Sequence, residues 1–280
     1  MAGEMSILDL VNERLQSDDT VLPVFAPVAE RVRRLVANPE FEISVLEEIV
    51  QEDPGLTSEL LRMANSAFFR GLDKVATVRD AVMRLGASRV SELVTLVSQR
   101  ATFRSRSTTV QHWMTQLWRH AVATSIGSRW LAERSGFGDM AQEAFLAGLL
   151  HDVGKLFLLK VIDDLASAGK LPRQLSAKVV LELIDRLHTQ QGYLLLRRCE
   201  APDVYCEAAR DHHAASFDPT NGVLVSVRIA NAACRKLGLG LHHDPTLVLA
   251  ATPEAQCIGA SEVLLAELEV LLEDAMDLAA

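Results

Sequence analysis

The feature that most restricts the fold of this chain is a close series of helix start and stop signals, with no strand-like alternation between them. Ser44 precedes Glu47 by three residues, and Thr77 precedes Asp80 by three. This spacing is typical of a capping box, in which each side chain satisfies a free backbone N–H of the other residue. Leu and Ala are frequent and aromatic residues make up 5% of the chain, a composition that favours helices. We therefore predict an all-α fold.

Chain length and the distribution of polar residues predict two packed helical subdomains. The chain has 280 residues, of which 49% are hydrophobic, whereas a single domain commonly has ~100–200 residues. The stretch RATFRSRSTT (100–109) is basic and poor in aliphatic residues, which is typical of a connecting segment. We place the boundary there and predict one helical subdomain over 1–109 and a second over 110–280, which ends in an acidic helix.

Composition also indicates which cellular compartment and which classes of partner to expect. No apolar run approaches the ~20 residues that cross a bilayer, and the N-terminus lacks the basic and hydrophobic segments of a secretory signal. We therefore expect a cytoplasmic protein that does not bind membranes. The net charge of −9 argues against a nucleic-acid partner, because binding phosphates requires clustered Lys and Arg. The four cysteines have no C-x-x-C spacing, so neither a zinc ribbon nor a redox pair is predicted.

Much of the negative charge lies near the C-terminus. Residues 238–280 contain eight acidic residues and neither Lys nor Arg. A charge run of this kind usually forms the solvated face of a helix, and this is the interpretation that we favour. The alternative is an acidic surface that docks a protein partner.

The residues with the clearest chemical meaning are histidines on separate predicted helices, accompanied by one aspartate: His120, His151, Asp152, His188, His212 and His213. A single histidine on a helix is most commonly a hydrogen-bonded packing residue. Several of them converging inside a bundle, however, can hold a divalent ion, and a carboxylate can bridge two ions. Lys155 lies one turn after His151, where its ammonium could meet a phosphate bound to that ion. The remaining histidines are expected on the surface or in loops: His112, His242 and His243.

These residues resemble the HD superfamily of metal-dependent phosphohydrolases. The resemblance rests on His120, on the His151-Asp152 pair and on the Val153-Gly154-Lys155 that follows it. The segments HDVGK, LHTQQG around His188, and DHH (211–213) are similar to the HD-GYP branch, whose members hydrolyse cyclic dinucleotides at clusters of two or three metal ions. The resemblance implies that the second subdomain is an HD-type helical bundle and that its histidines and aspartate are metal ligands.

The N-terminal half resembles the HDOD (HD-related output domain) family. Glu52-Asp53-Pro54, Ala64-Asn65-Ser66 and Arg84-Leu85-Gly86 stand where that family has its most recognisable motifs, and the matches extend over about 22–237. HDOD proteins are signalling and regulatory modules of bacteria, and many have degraded metal sites. The resemblance implies a bacterial signal-transduction module.

Two positions depart from the HD-GYP pattern. Enzymes of that type carry a glutamate one turn before the first histidine and an aspartate on a late helix, where this chain has Gln116 and Asn231. An amide oxygen remains a possible ligand but brings no negative charge, so the ion next to these positions should bind less tightly. That weakened set is His120, His151, Asp152 and Asn231. The segment AASFDPTNGV also lacks the Gly-Tyr-Pro loop, which argues against hydrolysis of cyclic dinucleotides.

A second set of ligands is complete, and we expect that it could hold one ion alone: Asp152, His188, His212 and His213. The expected cofactor is a divalent transition metal (iron, zinc, manganese or nickel), with no organic cofactor.

Three functions remain open. The favoured one is a regulatory HDOD module that acts through protein partners, with the histidine cluster as a structural or sensing metal site. The second is a residual metal-dependent phosphohydrolase that acts on a nucleotide or phosphomonoester, with Asp152 and Lys155 as catalytic residues. The third is a nucleotide-binding or phosphate-binding sensor without turnover.

Overall fold

The computed structural model describes residues 9–10, 13, 26–69, 71, 74–171 and 176–279, and the regular elements among them are all helices. The all-α prediction is therefore confirmed. No helix in this part of the chain is long and apolar enough to cross a bilayer. The described residues form two compact units: 26–102 with 270–279 (the N-terminal unit), and 103–269 together with 9–10 and 13 (the histidine unit).

The N-terminal unit is a cluster of short amphipathic helices. One of them, α5, packs against α1, α3 and α4, and its buried face includes Val90, Leu93 and Val94. The helices of this unit before residue 103 are α1 Pro27–Val36, α2 Ile43–Gln51, α3 Pro54–Ala64, α4 Val78–Leu85 and α5 Ala87–Arg100.

Local capping signals set two of these helix starts. Thr77 accepts a hydrogen bond from the amide of Asp80, and the carboxylate of Asp80 accepts one from the amide of Thr77, both over 3.0 Å. The Thr77–Asp80 capping box is thus confirmed. The carboxylate of Asp53 accepts hydrogen bonds from the first amides of α3, with Pro54 in its first turn.

The predicted capping box at Ser44 is wrong. Helix α2 begins one residue earlier, at Ile43, and Glu42 occupies the N-cap position. Ser44 lies inside the first turn, where its hydroxyl bonds the carboxylate of Glu42 over 3.3 Å. Ile43 lies one turn before the buried Leu46, so starting the helix there lengthens its apolar stripe.

Asn65, in one of the motifs noted in the sequence, ties a loop to the end of α3. Its amide group donates to the carbonyls of Leu61 and Val75, each over 2.8 Å, and its oxygen accepts from the amide of Val75 over 2.9 Å. Three bonds from one side chain give this residue a structural role within the N-terminal unit.

The histidine unit is built around a long, largely buried helix, α6. It packs against α7, α8 and α11, and α8 packs in turn against α9. The helices of this part of the chain are α6 Thr108–Arg134, α7 Ala141–Leu150, α8 Val153–Ser167, α9 Ala177–Arg198, α10 Asp203–Asp211, α11 Gly222–Leu237 and α12 Pro253–Cys257. Two C-terminal helices follow: α13 Glu262–Asp274 and α14 Met276–Ala279.

The predicted division into 1–109 and 110–280 stays a prediction. The compact units divide between Thr102 and Phe103, inside the same basic stretch, and residues 270–279 group with the N-terminal unit. The acidic helix α13 therefore begins in one unit and ends in the other.

Glycines allow α8 and α9 to approach each other closely at the start of α8. A Cβ atom at Gly154 would lie 2.0 Å from the carbonyl oxygen of His188 and 2.7 Å from the amide nitrogen of Gly192. Backbone atoms cannot move away as a flexible side chain can, so any larger residue would push the two helices apart. Gly154 belongs to the HDVGK segment, and the helix that it contacts carries His188.

We expect Gly154→Ala to lower the free energy of unfolding by about 2–4 kcal/mol, because the added methyl group overlaps the backbone of α9. Urea denaturation followed by circular dichroism would measure the change. Gly138→Ala is the matched control, since a Cβ atom there meets nothing within 4 Å. Equal stability of the two variants would contradict the close-packing argument.

Candidate metal centre

Five helices of the histidine unit bring the predicted ligands to one point. His120 lies in the middle of α6, and His188 in the middle of α9. The His151-Asp152 pair forms the junction between α7 and α8, and His212 directly follows the last residue of α10. All five side chains are buried. His213, the sixth member, is exposed at the edge of the cluster.

The carboxylate of Asp152 is the centre of this cluster. Its Oδ1 atom lies 3.3 Å from Nε2 of His212 and 3.5 Å from Nε2 of His188. Its Oδ2 atom lies 3.5 Å from Nε2 of both His120 and His151. Each carboxylate oxygen thus faces its own pair of imidazoles, which is the arrangement of a bridging carboxylate.

Lys155 is the ion-pair partner of this carboxylate, with Nζ 2.8 Å from Oδ2 of Asp152. Burial by itself would raise the pKa of Asp152, but the ammonium of Lys155, together with smaller contributions from the surrounding histidines, outweighs this effect and holds that pKa well below its usual value. Neither oxygen of Asp152 accepts a hydrogen bond of ordinary geometry from the described residues. A buried, ionised carboxylate in this state is suited to a cation.

Backbone carbonyls fix the orientation of four imidazole rings through their Nδ1 atoms. Because a carbonyl oxygen can only accept, each Nδ1 carries the proton, and in the neutral ring Nε2 carries the lone pair. Metal-bound histidines commonly have their other ring nitrogen held by a hydrogen bond of this kind. The contacts are His120 to Leu239 (2.8 Å), His151 to Gly148 (2.8 Å), His188 to Asp185 (3.0 Å), and His212 to Ala208 and Ala209 (3.0 Å each).

Burial also keeps the rings uncharged. It lowers the pKa of His120, His151 and His188, to about 4 for His188, and outweighs the attraction of the Asp152 carboxylate. These imidazoles are therefore neutral near pH 7, the form in which histidine binds a metal ion.

The lone pairs of these rings face each other in two pairs. The Nε2 atoms of His120 and His151 are 3.2 Å apart, and so are those of His188 and His212. Two bare nitrogens at this distance repel each other unless a cation lies next to both. Metal–nitrogen bonds of about 2.0–2.1 Å place neighbouring ligands of a tetrahedral shell about 3.3 Å apart. The donor set and its spacing therefore fit a divalent transition metal.

The ligand atoms form two groups, and within each group all of them lie within 4.8 Å of one another. One group is His188, His212 and His213, and the other is His120, His151 and Asp152.

A cavity of about 310 Å³ opens onto the cluster. Asn231, which is 5% exposed, lines this cavity together with Lys155 and Arg235. Gln116, the other amide at a family carboxylate position, is half-buried on α6 and is not among the residues that line it.

His242 is partly exposed and lies outside the regular elements, as expected for a surface or loop residue. It also lines the cavity, where its Nε2 contacts the carboxylate of Asp185 over 2.9 Å. Sequence reasoning missed Asp185 and Arg235. Asp185 stands one helical turn before His188, and this spacing was the available signal.

Comparisons with known proteins identify the family and the fold of this chain. A model of the HDOD domain matches residues 22–215. An uncharacterized protein of Treponema pallidum (strain Nichols) is 25% identical over 218 residues, which are 74% of this chain and 40% of that protein. The chain thus spans less than half the length of this curated relative.

Two solved structures share the fold. An HDOD domain protein of unknown function from Geobacter sulfurreducens has 22% identity and a TM-score of 0.73, with 97% of this chain and 96% of that chain covered. A candidate metal-dependent phosphohydrolase from Shewanella amazonensis SB2B has 19% identity and a TM-score of 0.69, with 95% and 97% covered. Since the family model matches more than half of the sequence, this chain belongs to the HDOD domain family.

Proposed function

We propose that this protein is a regulatory HDOD module that acts through protein partners, and that its histidine cluster binds one divalent transition-metal ion. One observation carries this proposal: the two groups of ligands contain five imidazoles but a single carboxylate, Asp152, and Lys155 already neutralises that carboxylate. Imidazoles suffice to hold an ion. Two adjacent divalent ions, however, repel each other and need more negative charge than one carboxylate supplies.

The charges favour one side of Asp152 for this ion. On the Oδ1 side stand His188, His212 and the neighbouring His213. On the Oδ2 side stand His120 and His151, but the ammonium of Lys155 contacts the same oxygen. We assign the ion to Oδ1 of Asp152, His188, His212 and His213. Asn231 would lie near the Oδ2 side of Asp152 and would add no charge there.

When bound, such an ion supplies a Lewis acid and a link between helices that are distant in sequence. The residues of the chain have separate tasks. Backbone carbonyls orient the rings of His188 and His212. Lys155 keeps Asp152 ionised and presents a positive charge to the cavity. Ion binding would stabilise one arrangement of α9 and α10, which a protein partner could then recognise.

A second candidate is a residual phosphohydrolase acting on a nucleotide or phosphomonoester. It is favoured by the position of Lys155, which is 5% exposed and lines the cavity beside Asp152. Arg235 adds a second cation to the same cavity, and a phosphate group would fit between such charges. Asp152 and Lys155 would then be the catalytic residues.

We expect about one transition-metal ion per chain in protein purified without a polyhistidine tag, measured by elemental analysis. Added Zn²⁺ should raise the melting temperature of the stripped protein by several degrees, because an ion that binds only the folded state stabilises it. His188→Ala should lose both effects, and His112→Ala, which changes an exposed histidine, should keep them. A folded wild-type protein that neither contains nor binds metal would refute the metal site.

We expect no hydrolysis above background by the metal-loaded protein with p-nitrophenyl phosphate or nucleoside monophosphates. The reason is that one ion and one neutralised carboxylate stabilise a phosphoryl-transfer transition state poorly. Asp152→Asn provides the background in a phosphate-release assay. Wild-type turnover ~100-fold or more above this variant would identify the second candidate as the function.

Restoring a carboxylate should tighten metal binding. Asn231→Asp adds a negative charge to the cavity wall, and we expect the apparent affinity for Zn²⁺ to rise ~10-fold or more, with binding of a second ion at high concentration. Calorimetric titration would measure both. Asn38→Asp is the control, because it makes the same change at an exposed position. Identical titrations for the two variants would show that a charge at position 231 does not influence the metal site.

A further inference from the structure

We propose that Arg228 is a positioning residue, which clamps the turn that carries His212 and His213 against Glu254 of α12. This inference rests on the proposed metal site, since it explains how two of that site's ligands are held in place. Arg228 lies on α11, three residues before Asn231. The same helix therefore lines the cavity through Asn231 and contacts the turn of the two histidines through Arg228.

Arg228 contacts both a backbone carbonyl and a carboxylate. Its Nη1 atom donates to the carbonyl oxygen of Asp211 over 2.7 Å. Its Nε atom donates to Oε1 of Glu254 over 2.6 Å, and Nη2 lies 2.6 Å from the same oxygen. The side chains of Arg228 and Glu254 are only 11% and 10% exposed. Such a pair is screened little by solvent, and loss of either partner would leave the other charge buried.

The carbonyl that Arg228 binds belongs to the last residue of α10. Terminal carbonyls of a helix have no partner within the helix, and a cation is favourable there. The peptide group of Asp211 leads directly into His212, so this contact fixes the point from which both histidines project. The same carbonyl oxygen accepts a hydrogen bond from the amide of Ala214 over 3.0 Å. This bond closes the turn 211–214, which contains both histidines.

The orientation of the His212 ring depends on this helix end. Its Nδ1 atom donates to the carbonyls of Ala208 and Ala209 in the last turn of α10, and its amide donates to Ala208 over 3.2 Å. Fraying of that turn would release the ring from its hydrogen bonds. By binding the carbonyl of Asp211, two residues after Ala209, Arg228 opposes such fraying.

The aromatic ring of Phe217 covers the guanidinium from another direction, with 4.8 Å between the Cζ atom of Arg228 and the ring centroid. Phe217 lies in the segment that follows the paired histidines. The planar guanidinium can bind a carbonyl and a carboxylate at once while stacking on a ring. A lysine ammonium at this position would keep the charge but lose that geometry.

The acidic partner is one of the eight acids near the C-terminus. The favoured interpretation of that run was a solvated helix face, but Glu254 is 8% exposed and lies in the first turn of α12. Glu254 thus forms a buried ion pair with α11, and we infer that its role is to hold Arg228 in place.

The inference can be tested with Co²⁺, whose visible absorption reports on coordination geometry. We expect Arg228→Gln to lower the affinity for Co²⁺ ~10–100-fold, the range typical when a contact that orients a metal ligand is lost. The absorption spectrum of the bound Co²⁺ should also change. Arg228→Lys should restore little of this affinity, and Glu254→Gln should show the same effect to a smaller degree. Circular dichroism would establish that each variant is folded.

Lys236→Gln is the matched control. Lys236 lies on the same helix and forms an ion pair with Glu269 over 2.6 Å, but it has no contact with the 211–213 turn among those described. The control should bind Co²⁺ like the wild type. Wild-type affinity and spectrum in folded Arg228→Gln would overturn the inference.

A second measurement separates this inference from the metal proposal. In metal-free protein labelled with ¹⁵N-histidine, the ring nitrogen resonances of His212 and His213 should shift or broaden in Arg228→Gln but not in Lys236→Gln. If the wild type binds no Co²⁺, the metal proposal fails, and these spectra still test the clamp. Unchanged histidine resonances in Arg228→Gln would overturn it.

Discussion

The arrangement of the histidine unit depends on one buried charge, the carboxylate of Asp152. An isolated carboxylate in a protein interior is strongly unfavourable, yet Lys155 keeps this one ionised at the junction of α7 and α8. Four imidazoles surround it, and because one ring nitrogen of each donates to a backbone carbonyl, the other nitrogen is directed towards the centre. The converging nitrogen and oxygen donors of this cluster suit a transition-metal ion.

Close helix packing brings these groups within reach of one another. Gly154, directly after the His-Asp pair, allows α8 to contact α9 at His188 itself. The same logic applies at Gly148 of α7, where a Cβ atom would lie 2.7 Å from the backbone of Thr124 on α6. Arg228 and Glu254 act on the other side, at the end of α10. The positions of the ligand side chains therefore depend on these close contacts between helix backbones as well as on the hydrogen bonds of the side chains themselves.

The low negative charge of the site favours a regulatory interpretation over a catalytic one. Metal phosphohydrolases assemble several carboxylates because these hold adjacent ions and keep them close to the phosphate. Here, Asn231 faces the cavity as an amide, and Lys155 neutralises the remaining acid. The proposed site therefore has donor atoms for an ion but little of the negative charge that such catalysis would need. Membership of the HDOD family is consistent with a regulatory use of that ion.

The sequence by itself determined the helical class and the identity of the clustered residues. Capping boxes, Asp-Pro boundaries and apolar stripes act over a few residues, so Thr77 and Asp53 could be interpreted without a structure. The histidines, in contrast, were found through their resemblance to a family motif, which names residues but does not place them.

Only the tertiary structure decided which side chains meet. The ring of His120 bonds a carbonyl 119 residues away, and His242 contacts Asp185 across 57 residues. Whether Asn231 or Gln116 faces the cavity, and whether Glu254 is solvated or buried, depends on how α6, α11 and α12 pack. No local pattern encodes this, because helix packing is governed by the fit of whole apolar faces, whereas sequence periodicity indicates only which face is apolar.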